Sequence, residues 1–178
     1  MLTRTARPST SPTPPHYPVD MTASPNPYTI RPAEPGDVAT IARQRSLLFR
    51  DMGGITDSEA EAIFSASIPW LQDLFAKQGY AGWLVLHERN IVGGGGVLFR
   101  ETGPVPRCNR IGRWGHIANI YIDPGHRRRG LARLLMQHIL QWAKANQLDR
   151  ITLSPSGEGR PLYESFGFIP AGEMELPR

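Results

Sequence analysis

The chain of 178 residues is 40% hydrophobic, enough for the core of one globular domain, and it has no apolar run of about 18 residues that would span a membrane. Its one cysteine, Cys108, excludes an internal disulfide, argues against a cysteine-based zinc site and fits a reducing cytoplasm. The net charge of +4 permits nucleic-acid binding, but no stripe of basic and aromatic residues accompanies it, so we expect neither a nucleic-acid nor a membrane partner.

Residues 1–27 are rich in proline, serine and threonine, and seven of the 17 prolines lie there. Such a segment has no apolar periodicity and buries too little surface to offset the entropy lost on ordering. We therefore expect a disordered tail over residues 1–27, followed by one folded domain over residues 28–178. Met21 is an alternative start of translation, which would leave residues 1–20 untranslated.

A strand and a helix are the first regular elements that the sequence predicts. Residues 28–31 are typical of a strand, and Pro32 ends it. Asp37 is expected to cap a helix that runs to about Arg50 and carries apolar residues at helical spacing. The glycine pair at residues 53–54 then breaks this helix.

A second helix is predicted from residue 58 to about residue 77. Ser58 serves as its N-cap, and Glu61, three residues further on, completes a capping box. Pro69 lies inside this span and is expected to split or kink the helix.

Two strands joined by a short turn are predicted over residues 82–87 and 91–100. The second contains four consecutive glycines, residues 93–96. Such a run could indicate a phosphate-binding loop, but a strand and not a helix follows it, so we interpret it as a flexible or closely packed, bulged strand. Residues 101–115 are predicted to form a polar loop, in which the Cys108 thiol has no assigned role.

The most informative stretch predicts a strand, a tight turn and a helix over residues 117–146. Its strand is apolar, β-branched and aromatic, and residues 123–125 form a strong turn signal. From Gly130 the apolar residues recur at helical spacing. Asn146 is expected to end the helix in a left-handed conformation.

The start of this helix suits an anion, because its first N–H groups have no internal partner and the helix dipole is positive there. Gly130 lets a ligand approach the backbone, and charge is added by four arginines: Arg127, Arg128, Arg129 and Arg133. From spacing alone, a phosphate or pyrophosphate site and a basic helix start with nothing bound remain equally open.

Residues 149–153 predict the next strand, and residues 160–165 a short helix that ends at Gly167. Two last, short strands are predicted at residues 168–169 and 174–176. The complete order predicts an α/β domain with a mixed, largely antiparallel central sheet flanked by helices.

Two segments resemble the hallmarks of the GNAT superfamily of acyl-CoA-dependent N-acyltransferases. Residues 127–132, Arg-Arg-Arg-Gly-Leu-Ala, match its Arg/Gln-x-x-Gly-x-Gly/Ala signature, and residues 119–124 resemble the strand and proline turn that precede it. Residues 159–168 resemble its second hallmark, a helix with Leu-Tyr-Glu followed by Gly-Phe. The resemblance extends from about residue 28 to the C-terminus. It implies the GNAT fold and acetyl transfer from acetyl-CoA to an amine, without a metal.

In that family the strand before the signature splays from the next strand, and the pantetheine arm of the cofactor pairs with the exposed backbone. The resemblance implies that Ile120 and Ile122 supply backbone groups to pantetheine. It also implies a pyrophosphate site made by the signature itself: Arg127, Arg128, Arg129, Gly130, Leu131 and Ala132. Ser156 stands where the family often has an asparagine that contacts the cofactor.

Tyr163 matches the family tyrosine that acts as general acid toward the coenzyme A sulfur; the alternative is core packing beside Phe166 and Phe168. Many members carry a glutamate or aspartate on the strand that bears Asn119. Asparagine can orient a water or the acceptor but cannot serve as a base. Besides a water chain, three groups remain candidates for the base: His116, Glu34 and Asp51.

The two N-terminal helices help form the acceptor side in the family, so residues 49–54 are a candidate acceptor loop, with an ordinary helix end as the alternative. No motif specifies the acceptor, which is a small-molecule or peptide amine. The missing carboxylate supports a second hypothesis, an acyl-CoA-binding sensor with weak or lost catalysis. Exposed sheet edges leave a homodimer open.

Overall fold

A computed structural model describes residues 27–101, 103–110 and 113–172 of the chain. The predicted tail and the predicted strand at residues 174–176 therefore lie outside the described residues, except for Pro27. The helices and strands are β1 (Tyr28–Pro32), α1 (Val38–Met52), α2 (Asp57–Ala76), β2 (Tyr80–His87), β3 (Asn90–Phe99), β4 (Trp114–Ile122), α3 (Leu131–Ala145), β5 (Arg150–Leu153) and α4 (Arg160–Glu164). This is the order that the sequence predicts up to its last helix.

The five strands form one sheet in the order β1-β2-β3-β4-β5. The first four strands pair antiparallel, and β5 pairs parallel with β4 after the crossover through α3. The prediction of a mixed, largely antiparallel sheet is confirmed.

Helices cover both faces of this sheet. On one face, α3 packs Leu135 and Ile139 against a cluster that includes Val85, and all three side chains are fully buried. On the other face, α1 and α2 pack against Leu84. Leu84 and Val85 are neighbours in β2, and their side chains therefore pack into the cores on opposite faces of the sheet, as the two-residue period of a strand requires. Within the described ranges, no helix is both long and apolar enough to cross a membrane.

The glycine run lies inside β3, which confirms a closely packed and bulged strand. A Cβ atom at Gly94 would lie 2.6 Å from Gln44 Oε1 of α1, and one at Gly95 would lie 2.4 Å from the Ile120 side chain of β4. Both glycines therefore allow neighbouring elements to approach the strand more closely than a side chain would permit.

The start of α2 differs from the prediction by two residues. Thr56 is the N-cap and Glu59 completes the capping box, instead of Ser58 and Glu61. Thr56 has the extended backbone that an N-cap requires, and the same Thr-x-x-Glu spacing satisfies the motif. Pro69 lies inside α2 and does not split it, although a proline in a helix interior costs about 3 kcal/mol locally.

The start of α1 and the end of α3 also differ from the predictions. Asp37 precedes α1 but makes no side-chain cap, because its carboxylate pairs with Arg31 at 2.7 Å. Asn146 is not left-handed, with φ of −88°, and its side chain donates instead to the Trp142 carbonyl. The next residue, Gln147, takes the left-handed conformation with φ of 54°.

The strand predicted at residues 168–169 is absent. Phe168 donates its backbone N–H to the Tyr163 carbonyl at 3.2 Å, so it closes the end of α4 and does not pair with a strand. Ile169 is 83% exposed. The apolar pair was mistaken for a strand because local composition does not show whether a partner edge is near.

Candidate functional site

A cleft opens where β4 and β5 separate. The parallel pairing runs from Trp114 with Arg150 to Ile117 with Leu153, where β5 ends. Residues 118–122 of β4 continue beyond that point, and among the described strands they pair only with β3. A cleft of about 840 Å³ lies beside this edge, between β4, the start of α3 and α4. The predicted splay between these strands is therefore present.

A β-bulge shapes this part of β4. Gly94 pairs with Tyr121 and Gly96 pairs with Ala118, so that Asn119 and its successor together face one residue of β3. Asn119 has φ of 61°, a left-handed conformation that asparagine tolerates better than most side chains. The bulge leaves Asn119 buried toward α1, whereas the next residue, which packs in the α3 cluster, lines the cleft.

The start of α3 forms the opposite wall of the cleft. Gly130 is its N-cap with φ of 78°, and no side chain caps the helix. Leu131 and Ala132 follow and line the cleft. Among the described residues, the first N–H groups of α3 therefore have no capping side chain and are available to an anion, as the phosphate-site interpretation requires.

Arg127 joins this loop to the end of α1. Its Nε donates to the Ile122 carbonyl at 2.8 Å, and its guanidinium makes a short ion pair with Asp51. The Asp51 hydrogen bond raises the pKa of Arg127. Both side chains line the cleft, so the predicted phosphate-binding arginine already has an anionic partner at this site.

The other three arginines of the predicted cradle differ in their surroundings. Arg128 and Arg133 line the cleft, and Arg133 also donates to Ser165 Oγ at 3.0 Å. Arg129 does not line it, and its guanidinium makes a long contact of 3.4 Å with the Gly125 carbonyl. Its side chain is therefore directed back into the turn.

Tyr163 and Ser156 line the cleft from the β5–α4 side. The Tyr163 ring also packs edge-on against Phe168 with centroids 6.3 Å apart, so the packing role is present, and the general-acid role stays a prediction. Burial raises the pKa of its phenol, which stays protonated at neutral pH and is able to donate a proton. Ser156 Oγ accepts from the Gly159 N–H at 3.1 Å, which leaves its own hydroxyl proton for a ligand.

Asn119 lies outside the cleft lining, in a polar cluster between the sheet and α1. Arg45 Nη1 donates to its Oδ1 at 2.8 Å. Burial raises the pKa of the neighbouring Tyr80 to about 12, against the opposing effect of hydrogen bonding by Asn119. Among the described residues, Asn119 Nδ2 is buried without a hydrogen bond of normal geometry.

Arg45 and Tyr80 belong to none of the sequence motifs that predict the site. Arg45 lies four residues after Ile41, so helical spacing places it on the inward face of α1 and could have identified it. Tyr80 carried no comparable signal, because only the pairing of β2 and β3 and the bulge of β4 bring it beside Asn119.

Of the three candidate bases, only Asp51 lines the cleft. His116 lies on the paired half of β4, with Nδ1 3.0 Å from Thr152 Oγ1. Glu34 is exposed in the turn before α1. Asp51 and its neighbour Met52 belong to the predicted acceptor loop, residues 49–54, and line the cleft. Gly53, with φ of 80°, ends α1 as expected, so residues 49–52 of this loop are the last turn of the helix.

The chain is similar to several N-acetyltransferases. Residues 47–168 match the model of the acetyltransferase (GNAT) family. The uncharacterized N-acetyltransferase YjgM of Escherichia coli is 25% identical over 134 residues, which is 74% of each chain. A GCN5-related N-acetyltransferase from Ralstonia eutropha JMP134 superposes with a TM-score of 0.78 at 28% identity, covering 85% of this chain and 98% of that one. A predicted acetyltransferase from Clostridium acetobutylicum, solved with acetyl-CoA, gives a TM-score of 0.74 at 24% identity over 84% and 96% of the two chains.

Proposed function

The chain belongs to the acetyltransferase (GNAT) family, and we propose that it transfers the acetyl group of acetyl-CoA to the amine of a small molecule or peptide. One observation carries this proposal: the unpaired edge of β4 at residues 118–122 borders a cleft that ends at the uncapped start of α3. A backbone edge suits the amides of pantetheine, and a bare helix start suits a pyrophosphate.

The residues around the cleft fit the donor. Backbone groups of Ile120 and Ile122 would pair with pantetheine. The pyrophosphate would lie at the backbone amides of Arg129, Gly130, Leu131 and Ala132. The side chains of Arg127 and Arg128, which line the cleft, would add positive charge beside it. Ser156 would donate its free hydroxyl proton. The donor supplies a thioester whose carbonyl carbon accepts the amine.

Tyr163 is the proposed general acid. The amine nitrogen bonds to the carbonyl carbon, the carbon–sulfur bond breaks, and Tyr163 gives its phenolic proton to the departing sulfur. The raised pKa keeps the phenol protonated until that moment. The proton that the amine loses passes to water, and Tyr163 is reprotonated from solvent, so that the products are an amide and a free thiol.

Asn119 is proposed to orient the reactants from beside the bulge. Its Oδ1 is already bonded to Arg45, so the Nδ2 group is the part left to act, and it donates. An N–H donor orients a water or carbonyl oxygen and takes no proton from an amine. The nearby guanidinium also disfavours a second positive charge, so the acceptor reacts as the neutral amine.

The remaining assignments follow from the same reasoning. We propose one domain over residues 28–178 with residues 1–27 as its tail. The reaction is placed in a reducing cytoplasm, where the free Cys108 is stable. Neither nucleic acid nor membrane is part of this proposal, and a homodimer through a sheet edge stays a prediction for light scattering.

The test has two stages. Acetyl-CoA and free coenzyme A are first compared for thermal stabilisation of the purified protein, since a ligand at 100 times its Kd adds about 2.7 kcal/mol to the folded state. Release of coenzyme A thiol is then followed with a panel of amines. We expect stabilisation by both compounds and amine-dependent thiol release. If neither compound stabilises the protein, the proposal is overturned.

A second candidate, an acyl-CoA sensor, is favoured by one observation: Asn119 stands where a carboxylate base would be placed, and its neighbour is a cation. The sensor requires the same stabilisation by acetyl-CoA but no thiol release above the rate without amine. The two stages of the test therefore separate the candidates.

A further inference from the structure

A partly buried cation lies beside the bulge without an anionic partner among the described residues. The Arg45 guanidinium donates to the neutral Asn119 side chain, and it lies over the Phe49 and Trp70 rings at 4.8 and 5.0 Å. Within the described part of the chain, no carboxylate is among the groups that shift its pKa, which burial lowers. A desolvated guanidinium with one neutral acceptor leaves most of its donors unused.

Arg43, two residues earlier on α1, differs from Arg45 because it has an anionic partner. Arg43 lies over the Phe64 ring at 3.7 Å and makes an ion pair with Glu61 at 2.7 Å on the surface. Hydrogen bonding to Glu61 raises the pKa of Arg43, whereas desolvation lowers the pKa of Arg45. The same helix therefore holds one arginine with a carboxylate partner and one that is partly buried and has no carboxylate partner among the described residues.

The position of Arg45 relates it to the reacting end of the cleft. The pairing of β4 with β5 ends at Ile117 and Leu153, and the cleft beside residues 120–122 of β4 continues to the start of α3. An arm that extends from a pyrophosphate at α3 along β4 would therefore reach the bulge that contains Asn119. Arg45 of α1 is hydrogen-bonded to Asn119, so an acceptor that approaches the bulge from the α1 side would meet its guanidinium.

A second, independent observation indicates a missing acceptor at the same place. Asn119 is only 5% exposed, and its Nδ2 has no hydrogen bond of normal geometry among the described residues. Buried donors of native proteins rarely remain unsatisfied. The contact of Asn119 with Tyr80 falls short of normal hydrogen-bond geometry, and the Asn119 side chain is hydrogen-bonded to Arg45, so an anionic group at this pair would satisfy donors of both side chains.

We propose that Arg45 binds an anionic group of the acceptor, and that the enzyme acetylates amines that carry a carboxylate or phosphate within a few bonds of the nitrogen. This inference rests on the proposed acetyl transfer. The Phe49 and Trp70 rings hold the guanidinium in a weakly hydrated setting, where a charge-assisted hydrogen bond is strengthened.

The test uses matched amines in the presence of saturating coenzyme A. β-Alanine is compared with β-alaninamide, which lacks the carboxylate, and O-phosphoethanolamine is compared with ethanolamine, which lacks the phosphate; the standard α-amino acids and their amides extend the panel. Binding is measured by calorimetry, and thiol release is measured with acetyl-CoA. We expect anionic amines to be preferred at least about tenfold over their neutral counterparts. Whether the carboxylate amine or the phosphate amine shows the larger preference identifies the anion that Arg45 binds.

Arg45→Gln keeps a donor for Asn119 and removes the charge. We expect it to weaken binding and lower kcat/KM for the preferred anionic amine by about 100-fold, chiefly through KM, with little change for neutral amines. Arg45→Lys should restore part of the preference. The control is Arg43→Gln, which removes an exposed arginine of the same helix and should leave the preference intact.

Equal use of neutral and anionic amines by the wild type would overturn the inference, as would an Arg45→Gln variant that weakens both classes equally. A merely structural Arg45 would instead lower the melting temperature of the unliganded variant without altering the preference. Failure of acetyl transfer is recognised separately, because the calorimetric preference with coenzyme A does not depend on turnover. If no anionic amine binds better than its neutral counterpart, the inference fails whether or not acetyl-CoA stabilises the protein.

Discussion

The Arg127 guanidinium is ion-paired with Asp51, 76 residues away in the chain, and the pair ties the loop before α3 to the last turn of α1. This ion pair therefore connects the proposed donor-binding loop to the proposed acceptor loop. A pyrophosphate that engages Arg127 competes with Asp51 for the same donors. Asp51 also places a negative charge in a cleft proposed to hold an anion.

Asp51→Asn is therefore predicted to strengthen coenzyme A binding. Because an exposed ion pair is worth up to about 1 kcal/mol, the expected gain in affinity is up to about fivefold. Calorimetry at two salt concentrations measures it, and the gain should shrink at higher salt. Turnover should change little. A large fall in kcat, with loss of the acidic limb of the pH–rate profile, would instead identify Asp51 as the base.

Tyr163→Phe is predicted to lower kcat by about 100-fold, since general acid catalysis typically contributes at least that factor. The Kd for coenzyme A should stay nearly constant, because the ring remains in place. Phe168→Leu is the matched control for packing, since Phe168 lies edge-on against the same ring. It should lower the melting temperature more than the rate. Unchanged turnover in Tyr163→Phe would exclude the proposed acid.

Gly130→Ala is predicted to weaken coenzyme A binding by more than tenfold. A Cβ at Gly130 meets no protein atom within 4 Å, so only the left-handed φ of 78° penalises the folded chain, by about 1–2 kcal/mol. The larger effect arises because the added methyl group occupies the approach to the helix start. Gly125→Ala, in the preceding turn, also meets nothing within 4 Å and lacks a positive φ, so it should leave affinity intact.

Tyr80 gives a pH dependence of stability. Its pKa of about 12 in the folded chain exceeds the usual value of about 10, so the folded state retains its proton while the unfolded state loses it. The contribution is complete below pH 10 and is lost as pH rises from about 10 to 12, by up to roughly 3 kcal/mol. Urea unfolding at pH 9, 10 and 11 measures it. In Tyr80→Phe the free energy of unfolding should lack this decrease between pH 10 and 12. An identical pH dependence of the unfolding free energy in both proteins would contradict the assignment.

The sequence was sufficient for the order of elements from β1 to α4, because hydrophobic period and turn residues are local signals. It also indicated the signature loop, since Gly130 and its arginines are consecutive. Contacts between distant residues were not predictable in this way. Arg45 meets Asn119 across 74 residues, and only the packing of α1 on the bulge of β4 brings them together. The position of the α2 cap was ambiguous for a different reason, because two overlapping Thr/Ser-x-x-Glu patterns satisfy the same rule.

The unpaired edge of β4 also gives the enzyme a built-in reporter of occupancy. Between residues 118 and 122, backbone groups directed toward the cleft have no β5 partner, so in the unliganded protein they exchange hydrogen with solvent through the cleft. A donor that pairs with this edge completes a strand and slows their exchange, whereas the β3 side of the same residues is protected in both states. Hydrogen–deuterium exchange over these five residues would therefore follow donor binding without a label, a substrate or a turnover event.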